Sequence, residues 1–313
     1  MGKRIAYLDQ AKGILIILML IGHIWNDGWI HDVIYVFHMP AFFVISGILL
    51  NYSTTAKRTA TKQLAAKIRT LLVPYLCFEV FGIFLHIAQH GITLNIKGYL
   101  FEMISLRLFN GPLWFLAVMF LCQCVFLLTA GNMAGRKWLL CLLLALMMVL
   151  PKYAAYISIS TTVAGLFFLL VGYQYEKAFS SRASVAQILV AVFVTVAAAK
   201  NDVGLPDYQD GSRIVFVLGA LAGTFAILEL SKRIHWRWLG WFGRNSIIVL
   251  GSHYPILRLI KYYLGIDECS ALSGIWILAI MMVLEVVLIQ AINQWMPFVA
   301  GRPFKNRKTQ NKD

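Results

Sequence analysis

An apolar run near the start of the chain, "LDQAKGILIILMLIGHIWNDGW" (Leu8 to Trp29), carries Asp9 and Lys12 where it begins, His23 in its middle and Asp27 near its end. A charged group inside hydrocarbon costs roughly 2.5–3.5 kcal/mol on insertion scales, so such residues mark function or a polar path. Lys12 and His23 are eleven residues apart. On an α-helix this leaves them about 20° apart around the axis and about 16 Å apart along it. Asp9 lies one turn before Lys12 and Asp27 one turn after His23, so a polar stripe runs along one face. That face must meet a cavity or protein rather than lipid. A neutral imidazole in such a seam can take the proton of an attacking hydroxyl, and a lysine can meet phosphate charge.

The next apolar stretch carries "FHMPAFFVISGILL" (Phe37 to Leu50), with His38 and Pro40 near one end and Ser46 and Gly47 deeper. Only three or four residues separate the two spans, so they form a tight antiparallel pair with His38 near the level of His23. A lone intramembrane histidine commonly serves as a structural hydrogen-bonding group. The aligned lysine and the second histidine weigh against that reading here.

These residues need a membrane scaffold, and the composition provides one. The chain has 313 residues, is 60% apolar and 13% charged, and has a mean hydropathy of +0.73; a soluble domain carries far more charge. Apolar segments joined by short loops cover nearly the whole length, so residues 1–313 read as a single transmembrane domain, all-α, with a basic tail at 297–313. Ten spans are expected, near 13–30, 34–52, 69–89, 112–130, 137–151, 156–175, 184–200, 212–230, 246–264 and 272–296. With a cytoplasmic N-terminus, 20 basic residues fall on the inner side, from Lys3/Arg4 through Lys57/Arg58/Lys62/Lys67/Arg69, Arg136/Lys137, Lys177/Arg182 and Lys232/Arg233/Arg237/Arg244 to Arg302/Lys305/Arg307/Lys308/Lys312. The outer loops hold five, Lys97, Arg107, Lys152, Lys200 and Arg213, with acidic Asp27, Asp32, Asp202, Asp207, Asp210, Asp267 and Glu268. Both termini are therefore expected in the cytoplasm.

The net charge of +14 lies in loops between spans and marks topology, not a nucleic-acid partner. Five cysteines, four of them (Cys77, Cys122, Cys124, Cys141) inside apolar spans and Cys269 in a loop, outline no disulfide framework and no zinc spacing. No metal is expected. Asp9 and Lys12 interrupt the signal-peptide pattern, and no small-residue cleavage site follows Trp29, so the first helix is expected to be retained. The sequon at Asn51 would be cytoplasmic and inert. "HWRWLGWFGRN" alternates aromatic and basic residues, as in a stretch lying among headgroups.

The motifs carry a resemblance. "YLDQAKGILIILMLIGH" is similar to the opening motif of the acyltransferase-3 family of membrane O-acyltransferases, an Arg or Lys separated by ten intervening residues from a His, preceded by Asp and followed by Gly. "FHMPAFFVISG" and "GPLWFLAVMF" (Gly111 to Phe120) resemble its next two motifs, particularly in the fucose 4-O-acetylase-like branch. "FGRNSIIVLGSHYPIL" (Phe242 to Leu257) resembles its late Gly-x-x-Ser…His-x-P segment. The resemblance spans nearly the whole chain and implies a multi-pass protein of the bacterial inner membrane. It implies transfer of an acetyl group from acetyl-CoA to a hydroxyl of a cell-surface glycan or its lipid-linked precursor. His23 then matches the essential histidine and Lys12 its basic partner, with Asp9 beside them. The acyl group could pass directly or through an acyl-His intermediate. Lys67 and Arg69 in "KIRTLLVPY" stand where relatives carry Arg-x-x-Arg, but with Lys-x-Arg spacing. They suit either the CoA phosphates, together with Lys12, or an orientation signal.

On the acceptor side the candidates are His38, Asn26, Asp27, Trp114 and His253. For Asn26 and Asp27 loop solvation, and for Trp114 an interface aromatic after a Gly-Pro helix start, are the plainer readings. Glu285, buried in the last span, requires a polar partner. Some relatives carry an extracytoplasmic hydrolase-like domain. This chain is expected to complete the transfer itself or with a separate glycan-assembly protein or a second copy of itself. The rival class is a secondary transporter of a small polar solute, which also uses buried charges. Neither an inverted repeat nor a matched pair of broken helices supports it.

Overall fold

The computed structural model describes residues 5–54, 60–92, 95–99, 109–129, 137–150, 159–201, 204–205, 211–266 and 269–303. Lys3, Arg4, Lys57, Arg58, Arg107, Arg136, Lys152, Asp202, Asp207, Asp210, Asp267, Glu268 and the basic tail beyond 303 lie outside the described residues. All described elements are helical: α1 (Ala6–Ile24), α2 (Gly28–Thr54), α3 (Ala60–Lys67) and α4 (Val73–His90) joined by a π segment (Ile68–Leu72), α5 (Trp114–Thr129), α6 (Lys137–Val149), α7 (Ile159–Gln174), α8 (Glu176–Ser180), α9 (Val185–Ala199), α10 (Arg213–Arg233), α11 (Arg237–Arg244), α12 (Ser246–Leu264) and α13 (Ala271–Trp295). Six stretches, 6–24, 28–52, 61–90, 111–128, 213–233 and 271–295, are long and apolar enough to cross a membrane.

The surface is apolar where a soluble protein is charged. Phe84, Leu128, Phe193 and Trp276 are each more than 60% exposed. Backbone polar groups are satisfied within each helix, so this outer shell suits hydrocarbon. The chain is an integral membrane protein built as a helical bundle.

Two boundaries correct the sequence expectation. The first helix begins at Ala6 rather than near residue 13 and ends at Ile24, so Asp9 and Lys12 are helical residues. The chain then turns through Trp25–Asn26–Asp27 into Gly28, whose φ of +83° favours glycine. The third apolar segment starts at Ala60, not 69. It stays helical through a π segment because Pro74 offers no N–H to the preceding turn, and a wider turn absorbs the defect.

Inside the bundle α2 packs between α7 and α10, and α1 packs against α2, α10 and α11. Close approach rests on glycine. A Cβ at Gly47 would meet the Leu169 carbonyl, and one at Gly172 the Val44 carbonyl, so α2 and α7 run backbone to backbone. The aromatic and basic stretch expected at the headgroups forms α11. Trp236 and Trp238 are exposed and stacked, which suits the interface, while Leu239 and Phe242 are buried against α1.

Candidate active site

A cavity of about 530 Å³ opens where α1 turns into α2. His23 lines it with His38, Tyr35, Tyr254, Trp114 and Asn26. His23 Nδ1 lies 3.2 Å from the Tyr35 hydroxyl. No hydrogen bond of its other nitrogen, Nε2, is found among the described residues, and the side chain is half-buried in the cavity wall. With Nδ1–H donating to Tyr35, the Nε2 lone pair is free to accept a proton. The ring is held on three sides: Tyr35 at 5.9 Å, Tyr254 at 6.0 Å and His253 at 5.0 Å between centroids.

His38 is buried, and its Nδ1–H donates to the Ile34 carbonyl at 2.9 Å. A carbonyl can only accept, so this bond fixes the tautomer and leaves Nε2 as an acceptor. His253 follows the same pattern: Nδ1–H points at the Val249 and Leu250 carbonyls, both at 2.9 Å, and its buried Nε2 has no partner. His253 is fully buried behind His23 and is not among the cavity-lining residues. Its neighbour Ser252 donates to the carboxyl of Glu285, with both oxygens within 2.9 Å, which supplies the polar partner that Glu285 required.

The approach to Trp114 is clamped by a pairing across 141 residues. Pro255 lies inside α12 and has no N–H for the Gly251 carbonyl one turn earlier. The buried Asn110 side chain donates to that carbonyl at 2.7 Å. The Phe109 N–H donates in turn to buried Glu79 at 2.6 Å. The Gly111–Leu113 turn that follows delivers Trp114 to the cavity wall.

A second cavity of about 280 Å³ lies further down α1. Lys12, Lys67 and Arg244 line it among apolar groups such as Ile16, Phe42 and Leu116. Lys12 pairs with Asp9 at 2.8 Å. Gln123 donates to Ser46 at 2.7 Å, leaving its buried Oε1 unpartnered. Arg244 reaches this cavity because α11 lies tight on α1: Cβ atoms at Gly13 and Gly243 would strike the Leu239 and Asp9 carbonyls. The α11–α12 junction is pinned by Asn245, which accepts from Asn293, and by Arg302, which bonds Asn293 and the Arg244 carbonyl.

Of the residues singled out in the sequence, the structure brings His23, His38, Asn26 and Trp114 into one cavity and Lys12 and Lys67 into the other. Asp27 and Arg69 are exposed and line neither. Sequence reasoning missed Tyr35, Tyr254, Asn110 and Arg244. Tyr35 alone had a local cue, since it stands three residues before His38 and so shares its helix face. Among the described residues no group of three or more His, Cys, Asp or Glu is placed to hold a metal.

Residues 5–293 match a family described as an acyltransferase domain. The chain belongs to the acyltransferase-3 family. It is also similar to the nodulation protein NolL of Sinorhizobium fredii (strain NBRC 101917 / NGR234), 30% identical over 151 residues that cover 42% of this chain and 38% of NolL. The chain thus spans well under half the length of that relative. No solved structure matches. In this acyltransferase-3 protein, the family match begins just before the stripe of α1 and runs through α12 and most of α13.

Proposed function

We propose that the protein is a bacterial inner-membrane O-acyltransferase that moves an acetyl group from acetyl-CoA to a hydroxyl of a glycan or its lipid-linked precursor. One observation carries the reading: two cavities of different chemistry sit on the same helix, a basic and apolar one at Lys12 and a histidine-lined one at His23. The donor supplies an activated thioester and carries phosphates, amides and a thin apolar arm. Lys12, Lys67 and Arg244 supply cations for the phosphates, and the orphaned Gln123 Oε1 supplies an acceptor for an amide N–H. The ten spans and cytoplasmic termini expected from the charge pattern would put this cavity on the inner side, where CoA is available.

His23 Nε2 receives the hydroxyl proton as the acceptor oxygen adds to the acyl carbon, and returns it to the departing thiolate. Tyr35 holds the ring at Nδ1 through this exchange. Alternatively Nε2 attacks the thioester and expels the CoA thiolate, and the hydroxyl then attacks the acyl-imidazole, releasing the imidazole while its proton passes to the thiolate. Asn26, His38 and Trp114 line the same cavity as His23, which supports their assignment to the acceptor.

The test uses purified protein in nanodiscs with radiolabelled acetyl-CoA and a panel of glycan acceptors. Transfer is expected to fall at least a hundredfold in His23→Ala with acetyl-CoA binding kept. Lys12→Ala should weaken acetyl-CoA binding about tenfold. Full transfer by His23→Ala, or solute uptake without acetylation, sinks the proposal.

A further inference from the structure

Two of the three cations that line the Lys12 cavity come from different walls. Lys67 ends α3, with Leu71 one turn on, and Arg244 ends α11, with Ser246 and Ile247 just beyond it. α4 and α12, which continue these two walls, also pack on each other. At the ends where both helices begin, the short chain segment that follows α13 touches the two walls at once.

Gly301 makes the first contact. The Val73 N–H bonds the Ile68 carbonyl five residues back, so the next donor in that register, to the Arg69 carbonyl, would be Pro74, which has no N–H. Gly301 is laid over this carbonyl. A Cβ there would come within 2.5 Å of the Arg69 oxygen and 2.7 Å of the Thr70 Cα, and its φ of +67° also favours glycine. Pro297 and Ala300, in the 3-10 turn before it, are buried, and the turn packs on α4. Arg302 makes the second contact. Its guanidinium donates to the Arg244 carbonyl at 2.6 Å and to Asn293 Oδ1, two acceptors served by one planar fork. Asn293 Nδ2 donates to Asn245 Oδ1 at 2.9 Å, and Asn245 Nδ2 to the Trp241 carbonyl at 2.8 Å. Trp241 and Arg244 lie in the last turn of α11, where a helix leaves carbonyls without intrahelical donors, and these side chains supply them.

We infer that residues 296–302 form a strap that sets the gap between the Lys67 and Arg244 walls, and that Gly301 and Arg302 are positioning residues for a phosphate-bearing donor. The inference rests on the proposed use of the Lys12 cavity by acetyl-CoA and adds what holds the cations of that cavity at a fixed separation. Neither Gly301 nor Arg302 lines the cavity. Each acts through the backbone of the wall it touches: Gly301 through Arg69 and Thr70, which lie between Lys67 and Leu71, and Arg302 through Arg244. A polyanion binds best to cations already in place, because ordering long side chains and helix ends on binding costs affinity.

The test measures acetyl-CoA binding by calorimetry to the full chain in nanodiscs. Arg302→Gln should weaken binding about tenfold, and Arg302→Lys, which keeps a donor but not the fork, should lose less. In the transfer assay the loss should fall on the KM for acetyl-CoA, with kcat within twofold. In an Arg244→Gln background, Arg302→Gln should weaken binding no further, because the cation that it positions is gone; a general loss of fold would add instead. The gap itself is read without any ligand. Spin labels are attached through Leu64→Cys on α3 and Trp238→Cys on α11, in a chain whose native cysteines are replaced, and Arg302→Gln and Gly301→Ala should each broaden the distance distribution between them. A wild type that binds no acetyl-CoA would end the donor reading and leave the spin labels to decide the strap. Distributions that stay as narrow as the wild type's overturn the inference. So, where the wild type binds, do full affinity in Arg302→Gln, losses that add to those of Arg244→Gln, or a loss carried by kcat alone.

Discussion

His23 is defined by what its two nitrogens can do. Nδ1 is engaged at 3.2 Å by Tyr35, and Nε2 makes no hydrogen bond among the described residues. A base must keep its lone pair in a fixed direction, and a ring anchored at one nitrogen has lost the freedom to turn the other away. Tyr35→Phe keeps the aromatic contacts and removes only the hydroxyl. Turnover is expected to fall about tenfold, the loss expected for one hydrogen bond near the upper end of its usual worth. The KM for acetyl-CoA should stay within twofold, because the cavity proposed for the donor lies elsewhere on α1. A KM that rises while kcat holds would show that Tyr35 serves binding rather than the orientation of the base. His253 is different in kind: its unpartnered Nε2 is buried behind His23 and not in the cavity wall, so its contribution passes through the ring it supports.

At the level of elements, the site depends on helices that would be unremarkable by themselves. Asn110 caps a carbonyl that Pro255 leaves open, and through Glu79 the same short segment is tied to α4. Asn110→Ala leaves the Gly251 carbonyl buried without a donor, a loss of about 1–3 kcal/mol. The expected result is a lower melting temperature in detergent together with weaker acceptor binding, since Trp114 loses its anchor. An unchanged melting temperature would show that the clamp contributes nothing to the fold. Gly243→Ala makes the corresponding test on the donor side. Its new methyl would meet the Asp9 carbonyl, α11 would have to withdraw from α1, and Arg244 would leave its cavity. Acetyl-CoA affinity should drop in Gly243→Ala by at least as much as in Arg244→Gln. An affinity equal to the wild type would mean that this helix contact does not set the position of Arg244.

The stripe on α1 was readable in the sequence because its cost is visible there: Lys12 and His23 stand out of an Ile- and Leu-rich run at a spacing that shares one helix face. The α2 histidine was readable because the turn between the helices is short. Arg244 was not, because a basic residue beside a span is already explained by topology. Nor was the pairing of Asn110 with Gly251, although Pro255 announced a carbonyl in need of a donor. A single sequence says where a bond is missing, but only the fold says which of the distant side chains comes to fill it.

For the whole molecule the question is sidedness. Two cavities at different heights on one helix make a transmembrane enzyme only if they face different compartments. The basic residues of the loops argue that Lys12 faces the cytoplasm and Arg258 the outside. The five free cysteines, one of them the exposed Cys141, would obscure a labelling experiment, so they are first replaced by serine or alanine. Single cysteines are then placed at Arg244 and at Arg258 and treated in intact cells with a membrane-impermeant maleimide. Arg258→Cys should react before lysis and Arg244→Cys only after it. Arg244 directly precedes α12 and Arg258 lies towards the far end of that helix, so a reversed topology would exchange the two results, and equal labelling of both in intact cells would contradict a two-sided seam. Each result also bears on chemistry. Donor and acceptor would then meet through the interior between Lys12 and His23; the Phe42 and Phe115 rings, 5.7 Å apart, line the Lys12 end of it. On the proposed reading the acyl group moves along α1 from the Lys12 cavity to the His23 cavity, so the bilayer's two aqueous sides need not be joined by an open pore.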